Sequence, residues 1–115
     1  SNWVYHFAGF VLDPAERTLH RAGQSVALTP KAFDVLLALV ERRGRLVGKD
    51  ELLSCVWPET FVEETNLTYN ISVLRKSLGD SAETPHLIEN IPRRGYRFIA
   101  EVSAVSKNGH GIPPG

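Results

Sequence analysis

The sequence predicts an α+β domain with a small antiparallel sheet first, a core of three helices next and a β-hairpin last. Three observations carry this. The first 28 residues fall into short β-prone pieces broken by turn residues. Three later segments repeat apolar residues at three- and four-residue spacing between capping signals, and two strand-like runs flank Pro92-Arg93-Arg94-Gly95. At 115 residues, 43% hydrophobic and 23% charged, the chain suits one domain whose core needs neither disulfide nor metal. Its longest apolar run, Val35 to Val40, is far too short to span a bilayer, so the piece is expected to be soluble and cytoplasmic. The lone Cys55 has no intrachain partner, and its apolar stretch predicts a small buried core residue.

The strands are expected at Val4 to Phe7, Phe10 to Leu12, Thr18 to His20 and Ser25 to Leu28, with turns at Gly9, Asp13-Pro14 and Ala22-Gly23. Thr29-Pro30 starts the first helix, because Thr caps free amides and Pro at the first helical position forfeits no needed hydrogen bond. Phe33, Leu36, Leu37 and Val40 form its buried face, and it should stop near Arg43, before Gly44. The second helix opens after Gly48 at Lys49-Asp50-Glu51, where the helix dipole favours carboxylates. It buries Leu52, Leu53 and Val56 and ends at Trp57-Pro58. The third, at about residues 64–78, carries the stripe Leu67, Ile71, Leu74 and Leu78 and ends at Gly79. Leu87 to Ile91 and Tyr96 to Val102 then pair around a tight turn in which Gly95 takes the positive φ. The domain is expected over residues 5–102, after a disordered N-terminus or cloning remnant (1–4) and before a linker or disordered tail (103–115).

That order is the order of a winged helix-turn-helix, whose last helix and hairpin address duplex DNA. Net charge is zero, but the charge is segregated along the chain. Residues 49–64 hold five carboxylates against one lysine, whereas Thr65 to Phe98 holds Arg75, Lys76, Arg93, Arg94 and Arg97 against Asp80, Glu83 and Glu89. With the leucine stripe turned inward, the third helix shows Thr65, Thr68, Tyr69, Ser72, Val73 and Lys76 outward. Hydroxyls there suit bases or phosphate, and Tyr69 and Val73 suit a thymine methyl. An ordinary solvated helix face would look the same in composition. Arg93, Arg94 and Arg97 put guanidiniums on a projecting hairpin, matched to phosphate oxygens, while Tyr96 and Phe98 alternate with Arg97 and are expected in the core.

Leu28-Thr29-Pro30-Lys31-Ala32-Phe33-Asp34, Lys49-Asp50-Glu51-Leu52-Leu53, Val56-Trp57, Leu74-Arg75-Lys76-Ser77-Leu78-Gly79-Asp80 and Pro92-Arg93-Arg94-Gly95-Tyr96-Arg97-Phe98 together resemble the OmpR/PhoB-type winged-helix DNA-binding domain over about residues 5–102. The hairpin motif, and a linker that follows the domain, look more like the CadC-like branch, in which this domain opens a longer regulator. The resemblance implies a four-stranded N-terminal sheet and a role in bacterial transcription regulation and phosphorelay signalling. It also implies a monomer that binds double-stranded DNA in tandem or as a dimer, in a parent that is membrane-anchored in some relatives. The helix contacts it implies are Thr65, Thr68, Tyr69, Ser72, Val73, Arg75 and Lys76; those of the wing are Arg93, Arg94 and Arg97. The loop between the second and third helices, with Glu59, Thr60, Phe61 and Glu63, is offered to RNA polymerase. Many members carry arginines where this chain has Ser72 and Val73, and a second glycine where it has Arg93 or Arg94, so base preference does not transfer.

No enzyme constellation appears: His6, His20, His86 and His110 are scattered without metal-ligand spacing, and no P-loop, nucleophile elbow or dinucleotide fingerprint is present. Neither cofactor nor small-molecule substrate is expected. The alternative reading is a winged-helix protein-interaction module that does not bind DNA, which the neutral charge keeps open.

Overall fold

The structure, a computed structural model, describes residues 2–108. Its elements in chain order are β1 (Trp3–Phe7), β2 (Phe10–Asp13), β3 (Thr18–Arg21), β4 (Gln24–Ser25), α1 (Pro30–Glu41), β5 (Leu46–Gly48), α2 (Lys49–Val56), α3 (Glu64–Leu78), β6 (Ile88–Ile91), β7 (Gly95–Phe98) and β8 (Ser103–Ser106). They form two units, one from the described residues up to Ala27 and from Glu101 onward, the other Leu28–Ala100.

The first unit is a five-stranded antiparallel sheet in the order β4-β3-β2-β1-β8. Alternation puts Tyr5, Phe7, Phe10, Leu12 and Leu19 on one face, all buried, with Tyr5 opposite Leu12 and Leu12 opposite Leu19. The Phe7 and Phe10 rings stack at 5.5 Å, and the Arg21 guanidinium lies 4.8 Å from the Phe10 centroid. The expected fourth strand is displaced and shorter: β4 is only Gln24–Ser25, and the chain leaves the ladder once the Val26 amide has reached the Leu19 carbonyl at 2.8 Å.

The ends of the domain also need correction. Strand structure begins at Trp3, inside the lead expected to be disordered, and the tail expected from residue 103 opens with β8, which pairs Ser103–Ser106 with Trp3–His6. Two of its four residues are serines and none is buried, so β8 carries little hydrophobic signal and is held by its main chain and by Lys107. The Lys107 amide donates to the Asn2 carbonyl at 2.8 Å and its ammonium meets the Asp13 carboxylate at 2.9 Å. Ser1 and residues 109–115, including His110 and most of the expected tail, lie outside the described residues.

In the second unit α1 packs on α2 and α3, and α2 packs on α3. Thr29 accepts the Ala32 amide at 3.3 Å with Pro30 behind it, as its cap signal predicts. The helix ends at Glu41, where Arg42 and Arg43 donate to the last-turn carbonyls of Ala38 and Val40. Phe33, Leu36 and Val40 are buried, but Leu37 is half-buried, and Ala32, Val35, Ala38 and Leu39 fill the face instead. In α2, Leu52 and Val56 are buried while Leu53 is half-buried. Cys55 is exposed, contrary to expectation, because only Leu52 and Val56, four residues apart, hold the buried side of this eight-residue helix. Leu67, Ile71, Leu74 and Leu78 of α3 are all buried.

The closing hairpin is shorter than expected, with β6 starting at Ile88 and β7 ending at Phe98 rather than Val102. Beyond Phe98 the Ile99 amide still reaches the Leu87 carbonyl at 2.8 Å, and the ladder stops there. An unforeseen strand, β5, pairs with β7 to give the order β5-β7-β6. Tyr96 and Phe98 are buried, as their alternation predicts.

Candidate nucleic-acid interface

Helix α3 and the hairpin of β6 and β7 enclose a groove of about 490 Å³ lined by Thr68, Ile71, Ser72, Arg75, Lys76, Asp80, Ala82, Asn90 and Tyr96. Asp80 builds one end of it. Gly79 adopts the left-handed cap at φ +72°, the Asp80 amide closes on the Arg75 carbonyl at 2.8 Å, and the Asp80 carboxylate then accepts the amides of His86 (2.7 Å), Leu87 (3.3 Å) and Ile88 (2.9 Å). Burial works against ionisation of this carboxyl, but the amides of His86, Ile88, Ser81 and Leu87 outweigh it and hold it below the ordinary aspartate value. One side chain therefore fixes where β6 departs from α3.

Of the helix residues expected at the interface, Thr65, Thr68, Tyr69, Ser72 and Lys76 are exposed and Val73 is half-buried. Tyr69 stands out at 68% exposure. The Thr68 hydroxyl donates back to the Glu64 carbonyl at 3.2 Å. Arg75 is placed differently: it is half-buried, its Nη2 donates to the Ile88 carbonyl at 2.8 Å, and its Nε is buried without a hydrogen-bond partner. It ties helix to hairpin from inside the groove. Asn70 is 7% exposed and donates to the Asn66 carbonyl at 2.8 Å, so it belongs to the buried face.

The wing residues divide in the same way. Arg93 and Arg94 are exposed at the tip, whereas Arg97 is half-buried in a cross-strand ion pair with Glu89 at 3.3 Å. The turn closes with the Arg94 amide on the Ile91 carbonyl at 3.0 Å, with Pro92 second and a left-handed residue third, the pattern of a type II turn. That third residue is Arg93, at φ +66°, while Gly95, just past the turn, takes the expected positive φ at +158°. Gly95 is required for a second reason as well: a Cβ there would collide with the Val47 carbonyl oxygen and lie 2.9 Å from its carbon. The close approach of β5 also lets the Lys49 amide, first in α2, donate to the Arg94 carbonyl at 3.2 Å.

Between α2 and α3, Glu59, Thr60, Phe61 and Glu63 are all exposed, Phe61 at 90%. Glu59, Thr60 and Phe61, but not Glu63, border a hollow of about 370 Å³ whose wall includes Leu53, Trp57 and Val62. Asn90 and Asp80 were missed as site residues. Asn90 is an exposed polar residue on a strand whose neighbour across the ladder, Tyr96, is buried, a signal visible only once β6 and β7 are in register.

The profile of the family described as transcriptional regulatory protein, C terminal, matches residues 23–98. The chain belongs to this family. Among its relatives, the transcriptional activator CadC of Escherichia coli is 33% identical over 86% of this chain and 20% of its own length, and the transcriptional regulator HilA of Salmonella typhi is 37% identical over 92% and 19%. The cholera toxin transcriptional activator of Vibrio cholerae is 32% identical over 85% and 35%. This family member thus spans about a fifth to a third of those relatives. Among solved structures, the DNA-binding domain of E. coli CadC matches with TM-score 0.76 and 30% identity, covering 87% of this chain and 94% of that one. The Klebsiella pneumoniae RstA DNA-binding domain, solved in complex with the RstA box, matches with TM-score 0.75 and 31% identity, covering 84% and 96%. The fold is the winged helix that the element order predicts, and the OmpR/PhoB-type resemblance holds.

Proposed function

We propose that this domain binds double-stranded DNA sequence-specifically as the DNA-reading part of a transcription regulator, with α3 in the major groove and the turn at Arg93 and Arg94 on the backbone or in the minor groove. The observation that carries it is the pairing of an outward α3 face rich in hydroxyls with an exposed two-arginine tip, the two being fixed to each other through Asp80 and Arg75. The interface residues are Thr65, Thr68, Tyr69, Ser72, Val73, Lys76, Arg93 and Arg94, with Asn90 at the groove between them. Arg75 and Arg97 position these elements before any contact of their own. The relatives named as transcriptional activators and the RstA complex support this reading.

Two partners follow from it. A second copy binds alongside on the DNA, and the loop carrying Glu59, Thr60, Phe61 and Glu63 meets a basic surface of RNA polymerase, with Phe61 supplying apolar contact among carboxylates. The parent works in the cytoplasm, whether or not it is membrane-anchored; no helix among the described residues is long and apolar enough to cross a membrane. The deciding experiment is a titration of duplex affinity against salt: counterion release makes log affinity fall by about 0.9 per phosphate contact per log unit of salt. Affinity that ignores salt would instead point to the protein-interaction module.

A further inference from the structure

The surface proposed to face DNA is poor in groups that select guanine, and the inference drawn from this rests on the DNA reading above. Guanine offers two acceptors to the major groove and is singled out by a forked or doubly donating cation; thymine offers a methyl. Helix α3 has a single arginine, and Arg75 is turned into the groove onto the Ile88 carbonyl at 2.8 Å. Thr68 uses its hydroxyl hydrogen on the Glu64 carbonyl, which leaves it lone pairs and a methyl to present. Lys76 sits in the last turn. What remains most prominent is Tyr69, 68% exposed, with half-buried Val73 beside it. Apolar surface of this kind gains free energy only against another apolar group, and in the major groove that group is the thymine methyl.

The turn points the same way. Arg93 and Arg94 are exposed and enter no ion pair among the described residues, and Arg93 holds a left-handed backbone that glycine would adopt without strain. Unpaired guanidiniums on a narrow projection suit the minor groove, whose negative potential is deepest where runs of A·T pairs narrow it. We infer that the domain selects an A·T-rich half-site, with Tyr69, Thr68 and Val73 reading thymine methyls and Arg93 and Arg94 reading an adjoining narrow minor groove.

The test begins with selection from a fully random duplex library. The winning duplex is then remade with deoxyuridine for thymidine, and separately with inosine·cytosine or guanine·cytosine pairs under the turn. Winners are expected to be A·T-rich. Removing methyls should weaken wild-type binding by about fourfold per contacted methyl, with a smaller loss for Tyr69→Ala, an exposed site where folding is not at stake. Inosine·cytosine, which keeps the A·T minor-groove surface, should bind better than guanine·cytosine, and Arg93→Ala with Arg94→Ala should erase the difference. Fixed guanines under α3, or a deoxyuridine duplex bound as tightly as its parent, overturn the inference while salt-dependent duplex binding leaves the DNA reading standing. Absence of salt-dependent binding to any duplex overturns both.

Discussion

Position 93 holds an arginine on a backbone that suits glycine, and the strain of a left-handed L-residue is of order 1 kcal/mol. Arg93→Gly is expected to leave stability unchanged or raise it by up to about 1 kcal/mol, and to weaken duplex binding. Thermal melts alongside affinity measurements check this; a variant that both melts lower and binds normally would remove Arg93 from the interface. Asp80 is the opposite case, a residue whose charge serves the fold. Its carboxyl pKa is lowered, so its contribution is complete above the unfolded value and disappears as pH falls through the folded one. Near neutral pH Asp80→Asn should destabilise by about 1 kcal/mol, since the group is partly screened by solvent. In acid, below the lowered pKa, the two proteins should converge; urea midpoints that differ equally at both pH values would contradict the assignment.

At the scale of elements, the approach of β5 to β7 joins the wing to the start of α2, and Gly95 is the residue that permits it. Gly95→Ala should cost about 3 kcal/mol, because the added methyl meets backbone that cannot rotate away. Chemical denaturation reads that loss, and a small one would mean the β5 pairing is dispensable. The helices were legible because their signals are local. Thr29-Pro30, the stripe Leu67, Ile71, Leu74 and Leu78, and Gly79 each act within a turn or two of chain. β5 and β8 were not, since three- and four-residue strands with distant partners carry no period of their own. The same division runs through the site. Exposure of Tyr69, Arg93 and Arg94 follows from periodicity and turn chemistry, but the inward commitment of Arg75 and Arg97 depends on a carbonyl at Ile88 and a carboxylate at Glu89 that only the fold brings near.

Over the whole molecule the formal net charge is zero, so long-range attraction to DNA is weak and affinity must come from where the cations stand. Arg94→Ala is accordingly expected to flatten the salt dependence by up to about 0.9 in log–log slope on the selected duplex, because a guanidinium in the minor groove also displaces counterions from the phosphates beside it. An unchanged slope would show that the tip displaces no counterions and so lies away from the DNA. The pairing of Trp3 with Ser106 places the two ends of the described fold on the same rung of one antiparallel ladder. Tension applied through those two points loads the rungs one after another instead of shearing them together, so β8 peels from β1 at low force and gives a few residues of slack. In an optical-trap pull through both ends, an early, low-force extension should precede the main unfolding event, and Lys107→Ala should lower it further by removing the Asp13 contact. The outer strand would then serve as a mechanical fuse within the sheet, yielding at its Ser106 end before the remaining β ladder is loaded.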